Sequence, residues 1–274
     1  MLRYEQVIIE GRRISYATEG SGPALVLLHG LGFDYRLWAA TAPYLVGHAR
    51  VIIPDLPGFG RSQALPDGTG PDDMLRVLAA MLTATAAVPC MIAGFGLGGT
   101  LALALAARNP ERVHSVIAIS ALGPQSWPET GSGRLAAFLA TMPGVLGLGM
   151  RLAPRLVAQR YVHAALSTPD SSAEATQLIE RVLRDPAQRQ SLVKSLAQLR
   201  AWQDLMRRFS GVRAPCLIVW GERDRIYGLR AAERLRHAVP GSQLHSFNGA
   251  GHLLPLEQPD SLAALMRAFW GFKR

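Results

Sequence analysis

The sequence predicts an α/β fold in which a mostly parallel, eight-stranded sheet carries helices on both faces. Eight short apolar runs with strand character occur along the 274 residues. From the third run onward they alternate with segments of helical periodicity, which is the pattern of parallel strands joined by helices. Runs such as ALVLLHG and CLIVWG are apolar throughout, as expected for strands that helices cover on both sides.

The predicted elements begin with a hairpin, because only Gly11 and Arg12 separate the first two runs. In chain order, the strands are QVIIE, RISYAT, ALVLLHG, RVIIPD, CMIAG, VHSVIAIS, CLIVWG and SQLHSF. The helices are DYRLWAATAPYLV, whose second half Pro43 disturbs, and residues 72–87, 97–108, 229–238 and 258–272.

The pattern changes between Leu122 and Arg213. This stretch is rich in arginine, is largely helical in character and contains no convincing strand. We therefore expect residues 1–122 and 214–274 to form the core, and residues 123–213 to form a helical cap. As an insertion between two core strands, the cap is expected over the carboxyl edge of the sheet.

Composition argues against several classes of function. The formal net charge is +9, yet no helix-turn-helix pattern, RNA-binding signature or zinc-ligand spacing accompanies it. We expect no nucleic-acid partner, no metal and no cofactor. The first twenty residues do not resemble a signal peptide, and no apolar run reaches eighteen residues, so no membrane association is predicted. Cys90 and Cys216 each open a predicted strand as small buried residues, which fits a reducing cytoplasm.

The stretch MIAGFGLGGT, residues 91–100, combines an apolar strand, a glycine-rich turn and the start of a helix. Gly94 and Gly98 permit the close approach of strand and helix that a sharp turn requires. The backbone N–H of Leu97 then lies at a helix N-terminus, where it is suited to bind an oxyanion.

Three other loops follow predicted strands and are expected at the same edge of the sheet. LLHGLGF ends the third strand and offers the N–H of Leu31 as the other oxyanion donor. Asp224 in WGERDRI and His252 in GAGHLLP follow the last two strands. Taken alone, Asp224 fits a surface carboxylate between two arginines, and His252 fits a buried core histidine. Their shared context favours an acid–base pair.

Together these motifs resemble the α/β-hydrolase superfamily, over nearly the whole chain. The order of elbow, acid and histidine is that of the superfamily. DLPGFGRS, residues 55–62, resembles the loop after the fourth strand in its esterase and lactonase branch. The resemblance implies that His252 is the general base, that Asp224 orients it and that residue 96 occupies the nucleophile position. The chain looks most similar to small carboxylesterases, enol-lactone hydrolases and methyl-ester hydrolases that act on carrier-bound acyl chains.

Position 96 departs from the superfamily pattern, which has serine there, or sometimes aspartate or cysteine. Gly96 has no side chain and cannot form an acyl-enzyme. Both cysteines are predicted far from the turn, and Thr100 is predicted to point into the helix packing. Ser120 and Ser126 follow the neighbouring strand and fit turn hydroxyls. The glycine is either a natural change or an engineered substitution that traps a substrate.

An apolar substrate pocket is expected beside the turn. It would be lined by Gly30, Phe33, Phe95 and Leu97 from the two loops and by Trp127 from the cap. Trp127 fits packing between cap and core equally well. The expected ligand is a small-molecule ester, lactone or acyl compound.

Arginines recur at roughly helical spacing in the predicted cap, at Arg151, Arg155 and Arg160. They suit an acidic partner such as an acyl carrier protein, or a carboxylate substrate. The alternative is a solvated helix face without a partner.

Three functions remain open. The first is an esterase or lactonase that lacks its serine, with residual hydrolysis by water that His252 activates. The second is a lyase, decarboxylase, isomerase or cyclase that uses His252 as acid or base. The third is a small-molecule binding protein or scaffold on the same fold. We favour the first, because drift after loss of function would erode Asp224 and His252.

Overall fold

An eight-stranded sheet forms the centre of the protein, whose computed structural model describes residues 2–123 and 142–272. Its strands are β1 (Arg3–Ile9), β2 (Arg12–Glu19), β3 (Ala24–Leu28), β4 (Arg50–Pro54), β5 (Cys90–Phe95), β6 (Val113–Ile119), β7 (Cys216–Gly221) and β8 (Gln243–Phe247). Their order in the sheet is β1-β2-β4-β3-β5-β6-β7-β8. Only the β1–β2 and β2–β4 pairs are antiparallel. The predicted mostly parallel sheet is thereby confirmed.

Helices connect the parallel strands and extend from the sheet. Within the described residues they are α1 (Pro71–Ala84), α2 (Leu97–Arg108), α3 (Pro143–Leu152), α4 (Pro154–Ala165), α5 (Ser172–Arg184), α6 (Pro186–Ala197), α7 (Leu199–Met206), α8 (Leu229–Ala238), α9 (Leu254–Glu257) and α10 (Pro259–Trp270). In this part of the chain, no helix combines the length and apolar character that crossing a bilayer requires.

The segment DYRLWAATAPYLV differs from the predicted helix. It forms two short 3₁₀ helices, Tyr35–Trp38 and Ala42–Tyr44. Pro43 has no N–H group and its ring disfavours a continuous α-helix through this point. Leu37 and Trp38 are completely buried, so the apolar pattern reflected core packing in a turn-rich connection.

Short helices make up the described chain between β6 and β7. Asp185 starts α6, because its carboxylate accepts hydrogen bonds from the backbone N–H groups of Ala187 and Gln188 at 2.9 and 3.1 Å. Ala153 separates α3 from α4, since a residue before proline disfavours the helical conformation. The three arginines that recur at roughly helical spacing are therefore divided between two helices. Arg151 lies on α3, whereas Arg155 and Arg160 lie on α4, and all three are exposed.

Backbone packing brings β5 and α2 together at the glycine-rich turn. A Cβ atom on Gly94 would collide with the backbone of Gly98 and Gly99. A Cβ atom on Gly98 would lie 2.6 Å from the carbonyl oxygen of His29, at the end of β3. The predicted close approach is thus present, and it seats the start of α2 against two neighbouring strands.

We predict that Gly98→Ala lowers the free energy of unfolding by about 1–3 kcal/mol, as overpacking does. The added methyl group would meet backbone carbonyls that cannot rotate away. Gly149→Ala in α3 is the control, because no atom lies within 4 Å of its Cβ position, and alanine there should gain roughly 0.5–1 kcal/mol. Chemical denaturation measures both, and equal stabilities for the two variants would contradict this packing.

Candidate active site

The predicted site residues lie in loops that leave one edge of the sheet. β3, β5, β6, β7 and β8 run parallel, so their carboxyl ends share that edge. His29 and Gly30 follow β3, Gly96 follows β5, Asp224 follows β7 and His252 follows β8. This is the edge at which open α/β sheets bind their ligands.

Gly96 forms the sharp turn between β5 and α2. Its backbone has φ +55° and ψ −119°, a region that residues with side chains rarely adopt. Its N–H donates to the carbonyl of Ile119 at 2.9 Å, which fixes the turn to β6. A Cβ atom here would have the Cα of Gly30 as its nearest contact, at 3.8 Å. Unlike Gly94 and Gly98, residue 96 therefore has room for a side chain, and backbone strain is the only cost.

Two backbone N–H groups beside this turn are candidate oxyanion donors. The N–H of Leu97 is the first of α2, and Leu31 lies in the loop that abuts Gly96 through Gly30. Neither group donates a hydrogen bond to another residue within ranges 2–123 and 142–272. Both are thus free to bind an acceptor on a ligand.

His29 holds the Leu31 loop in place, and both of its ring nitrogens are used in hydrogen bonds to the backbone. Its Nε2 accepts a hydrogen bond from the N–H of Leu56 at 2.9 Å, so Nδ1 carries the proton and donates to the carbonyl of Gly30 at 2.8 Å. The ring is completely buried, and burial lowers the pKa of His29. A neutral imidazole thereby ties this loop to the chain after β4.

Asp224 and His252 form a buried hydrogen-bonded pair, as the sequence predicted. The Nδ1 atom of His252 lies 2.7 Å from Oδ2 of Asp224. The side chains are 4% and 0% exposed, respectively. The bond fixes the imidazole orientation and leaves Nε2 as its second functional atom.

Backbone donors complete the environment of Asp224. Its Oδ1 accepts from the N–H groups of Ile226 and Tyr227 at 2.8 and 3.1 Å. Burial by itself would raise the pKa of Asp224, but His252 and these two donors outweigh burial and lower it. Asp224 is therefore ionised at neutral pH and suited to stabilise a protonated His252.

Phe95 packs between the loop that follows β3 and the His252 side chain. Its ring centroid lies 5.9 Å from that of Phe33 and 5.1 Å from that of His252, both edge to face. A Cβ atom on Gly30 would lie 2.9 Å from the Phe95 ring, so this glycine lets the ring pack closely. Of the predicted pocket residues, Gly30 and Phe33 thus pack against Phe95, Leu97 directly follows Gly96, and Trp127 falls outside the described residues.

A family model described as the alpha/beta hydrolase fold matches residues 23–259. The chain belongs to the α/β-hydrolase fold family. This α/β hydrolase is 28% identical to a pimeloyl-acyl-carrier-protein methyl ester esterase of Aeromonas salmonicida, over 94% of this chain and 99% of the relative. It is 30% identical to a 2-hydroxy-6-oxo-2,4-heptadienoate hydrolase of Pseudomonas putida, over 91% and 90% of the two chains. The solved structure of epoxide hydrolase CorEH has the same fold, with a TM-score of 0.87, 21% identity and 99% coverage of each chain.

Within the described part of this α/β hydrolase, neither the Thr100 hydroxyl nor the two cysteine thiols replace a nucleophile at residue 96. The Thr100 hydroxyl is buried and donates to the carbonyl of Leu122 at 2.9 Å. Burial raises the pKa of Cys90 and of Cys216 to about 12, so neither thiol ionises at neutral pH. Ser126 falls outside the described residues.

Two residues near His252 have roles that the sequence did not reveal. Ser120 is completely buried at φ +44°, and its hydroxyl donates to the carbonyl of His252 at 3.1 Å. Glu257 accepts a hydrogen bond from the N–H of Gly251 at 3.0 Å. The only sequence signal for Ser120 was its place after β6, and no sequence signal pointed to Glu257.

No group of three or more His, Cys, Asp or Glu suited to a metal occurs among the described residues.

We predict that Gly96→Ser and Gly96→Ala lower the free energy of unfolding by similar amounts, on the order of 1–3 kcal/mol. Both side chains share the strained backbone, and neither meets a steric barrier at Cβ. Equilibrium denaturation compares them with the parent chain. Equal or greater stability of both variants would contradict strain at this turn.

Proposed function

We propose that this protein has a carboxylic-ester or lactone hydrolase site whose nucleophile position is occupied by Gly96. His252 is the general base, Asp224 orients it, and the N–H groups of Leu31 and Leu97 form the oxyanion hole. One observation carries this proposal. The Asp224–His252 hydrogen bond of 2.7 Å is intact and buried at the sheet edge where the Gly96 turn lies.

In the proposed reaction, the substrate carbonyl oxygen lies between the Leu31 and Leu97 donors. Gly96 offers no atom for an acyl-enzyme, so water is the nucleophile. His252 removes a proton from water as the hydroxide adds to the carbonyl carbon. The C–O bond to the leaving alkoxide then breaks, and His252 returns the proton to that alkoxide. The products are a carboxylic acid and an alcohol, or a hydroxy acid from a lactone.

We propose that residues 123–213 act as a cap over this site and that residues 1–122 and 214–274 form the catalytic core. Support comes from the helices between β6 and β7, because the end of α4 contacts the loop of His252. The backbone N–H of His252 donates to the carbonyl of Ala165 at 2.7 Å.

We also propose a cytoplasmic location for this protein. Neither Cys90 nor Cys216 forms a disulfide, which supports a reducing compartment.

An acidic acyl carrier protein is the partner we propose for the cap surface. Arg151, Arg155 and Arg160 are exposed on α3 and α4, and residues 142–169 include no aspartate or glutamate. Exposed apolar side chains lie on the same two helices, at Val145, Leu148, Leu152 and Leu156. The carrier-linked substrate in the name of the Aeromonas relative agrees with this charge pattern.

A second candidate is a non-hydrolytic enzyme in which His252 moves a proton and the oxyanion hole binds an enolate. The observation that favours it is the combination of a preserved Asp224–His252 pair with a residue 96 that cannot be acylated. In this case serine at residue 96 would bring no benefit, whereas loss of His252 would abolish the reaction.

We predict that Gly96→Ser hydrolyses short acyl esters, methyl esters or lactones at least about 100-fold faster than the parent chain. Removal of one member of a hydrolytic triad can cost on the order of 10⁶-fold in rate, so restoration of the hydroxyl should recover part of it. Initial rates on an ester and lactone panel measure the effect. Gly96→Ala and the double variant Gly96→Ser/His252→Ala serve as controls and should show no gain. A folded Gly96→Ser variant without any gain would refute the hydrolase proposal.

We predict that Arg151→Glu/Arg155→Glu, made in the Gly96→Ser variant, raises KM for a carrier-linked acyl methyl ester about 10-fold. Reversed charge should weaken the encounter with an acidic carrier. KM for the free methyl ester of the same acid should stay unchanged. Arg230→Glu/Arg236→Glu on α8 is the matched control, since both arginines are exposed outside the cap and the change in charge is the same. Equal effects of both charge reversals would contradict the carrier surface.

A further inference from the structure

The turn that leaves α4 contacts the loops of both Asp224 and His252. We call residues 163–167 the α4 exit turn. The carbonyl of Ala165 accepts the backbone N–H of His252 at 2.7 Å. The hydroxyl of Ser167 lies 2.5 Å from the carbonyl of Gly249, three residues before His252. The base therefore lies directly against a segment of the helical insertion.

Gly251 makes this contact possible. A Cβ atom on Gly251 would lie 2.8 Å from the backbone N of Ser167 and would also collide with the carbonyl of Ala165. The residue before His252 thus packs backbone to backbone against the α4 exit turn. Any displacement of the turn would change the space in which His252 is held.

Glu257 bridges the two packed segments with one carboxylate. Its Oε2 accepts from the N–H of Ser167 at 2.9 Å, from the Ser167 hydroxyl at 2.6 Å and from the N–H of Gly251 at 3.0 Å. Each of these polar groups is partly buried. Loss of the carboxylate would leave two partly buried backbone donors without this acceptor, which costs free energy.

Arg225 ties the other member of the pair to the same turn. It follows Asp224 directly, and its guanidinium donates to the carbonyls of His163 and Leu166 at 2.6 and 2.9 Å. Asp224 and His252 lie on different loops, yet both loops are fastened to the α4 exit turn. The turn therefore defines the position of each relative to the other.

We propose that the α4 exit turn positions the Asp224–His252 pair and that Glu257 is the positioning residue that holds the turn against His252. The role of this pair in catalysis rests on the function proposed above. Glu257 acts through Gly251 and Ser167, without contact with the substrate. The helical insertion thereby sets the orientation of the base in addition to covering the site.

The first test measures the Asp224–His252 hydrogen bond itself, in the parent Gly96 chain and without substrate. A histidine Nδ1 proton bound to a carboxylate gives a distinct far-downfield proton resonance. We expect Glu257→Ala to broaden or shift the His252 signal strongly, whereas Glu257→Gln, which keeps an acceptor oxygen, should preserve most of it. Glu174→Ala on α5 is the matched control, because Glu174 is an exposed carboxylate.

Ser167→Ala is the second variant and removes only the hydroxyl bridge. It should shift the same resonance in the same direction by a smaller amount. If Glu257→Ala does not fold, Ser167→Ala and Glu257→Gln still decide the question. An unchanged His252 resonance in every folded variant would overturn the proposal.

The second test uses hydrolysis by the Gly96→Ser variant. Added Glu257→Ala should lower kcat about 10- to 100-fold, as expected when a reacting group is displaced, with little change in KM. Added Glu257→Gln should restore most of the loss. A purely structural role would instead reduce the folded fraction and leave kcat per folded molecule unchanged, which would count against positioning. Absence of hydrolysis in Gly96→Ser itself would refute the proposed function, and the resonance would then decide this proposal alone.

Discussion

Backbone-to-backbone packing among β3, β5 and α2 is the constraint on which the candidate site depends. Because Gly94 and Gly98 have no side chains, α2 begins two residues after β5 ends and lies against the end of β3. This contact sets the direction of the Leu97 N–H and brings Gly96 beside Gly30. The loop carrying Leu31 and the start of α2 are then fixed relative to each other before any ligand binds.

Parallel pairing extends that order to the rest of the site. Asp224 and His252 follow β7 and β8, which are neighbours in the sheet. The paired strands hold the two loops close together, so little loop conformational entropy is lost when the side chains form their hydrogen bond. Burial strengthens the electrostatic interaction between them, since few water molecules compete for the carboxylate. The two loops that carry the pair thus leave neighbouring strands of the central sheet.

The sequence predicted those parts of the structure whose signals are local. The strand Cys216–Gly221 and the helices Leu97–Arg108 and Leu229–Ala238 matched because continuous apolar runs and glycine turns determine them over a few residues. The chain around Trp38 did not form the predicted helix, because its apolar pattern served burial and Pro43 interrupted the backbone. The division between Arg151 and Arg155 followed from Pro154.

Local sequence patterns did not predict the hydrogen bonds between distant parts of the chain. Glu257 binds Ser167 across 90 residues, and Ser120 binds His252 across 132 residues. No periodicity or motif connects these positions, and each residue taken alone is an ordinary helix-end carboxylate or turn hydroxyl. Asp224 and His252 were predictable because each follows a strand, whereas the groups that hold them are visible only in three dimensions.

The backbone at Gly96 has a consequence for how this chain can change over time. Its conformation disfavours every side chain, and a Cβ atom there would have a single contact among the described residues, with the Cα of Gly30 at 3.8 Å, so glycine gives up few packing contacts. Selection for stability alone therefore keeps glycine at this turn once it is present. Only selection for a chemical step would restore a larger residue, so the identity of residue 96 records whether covalent catalysis is under selection in a given lineage.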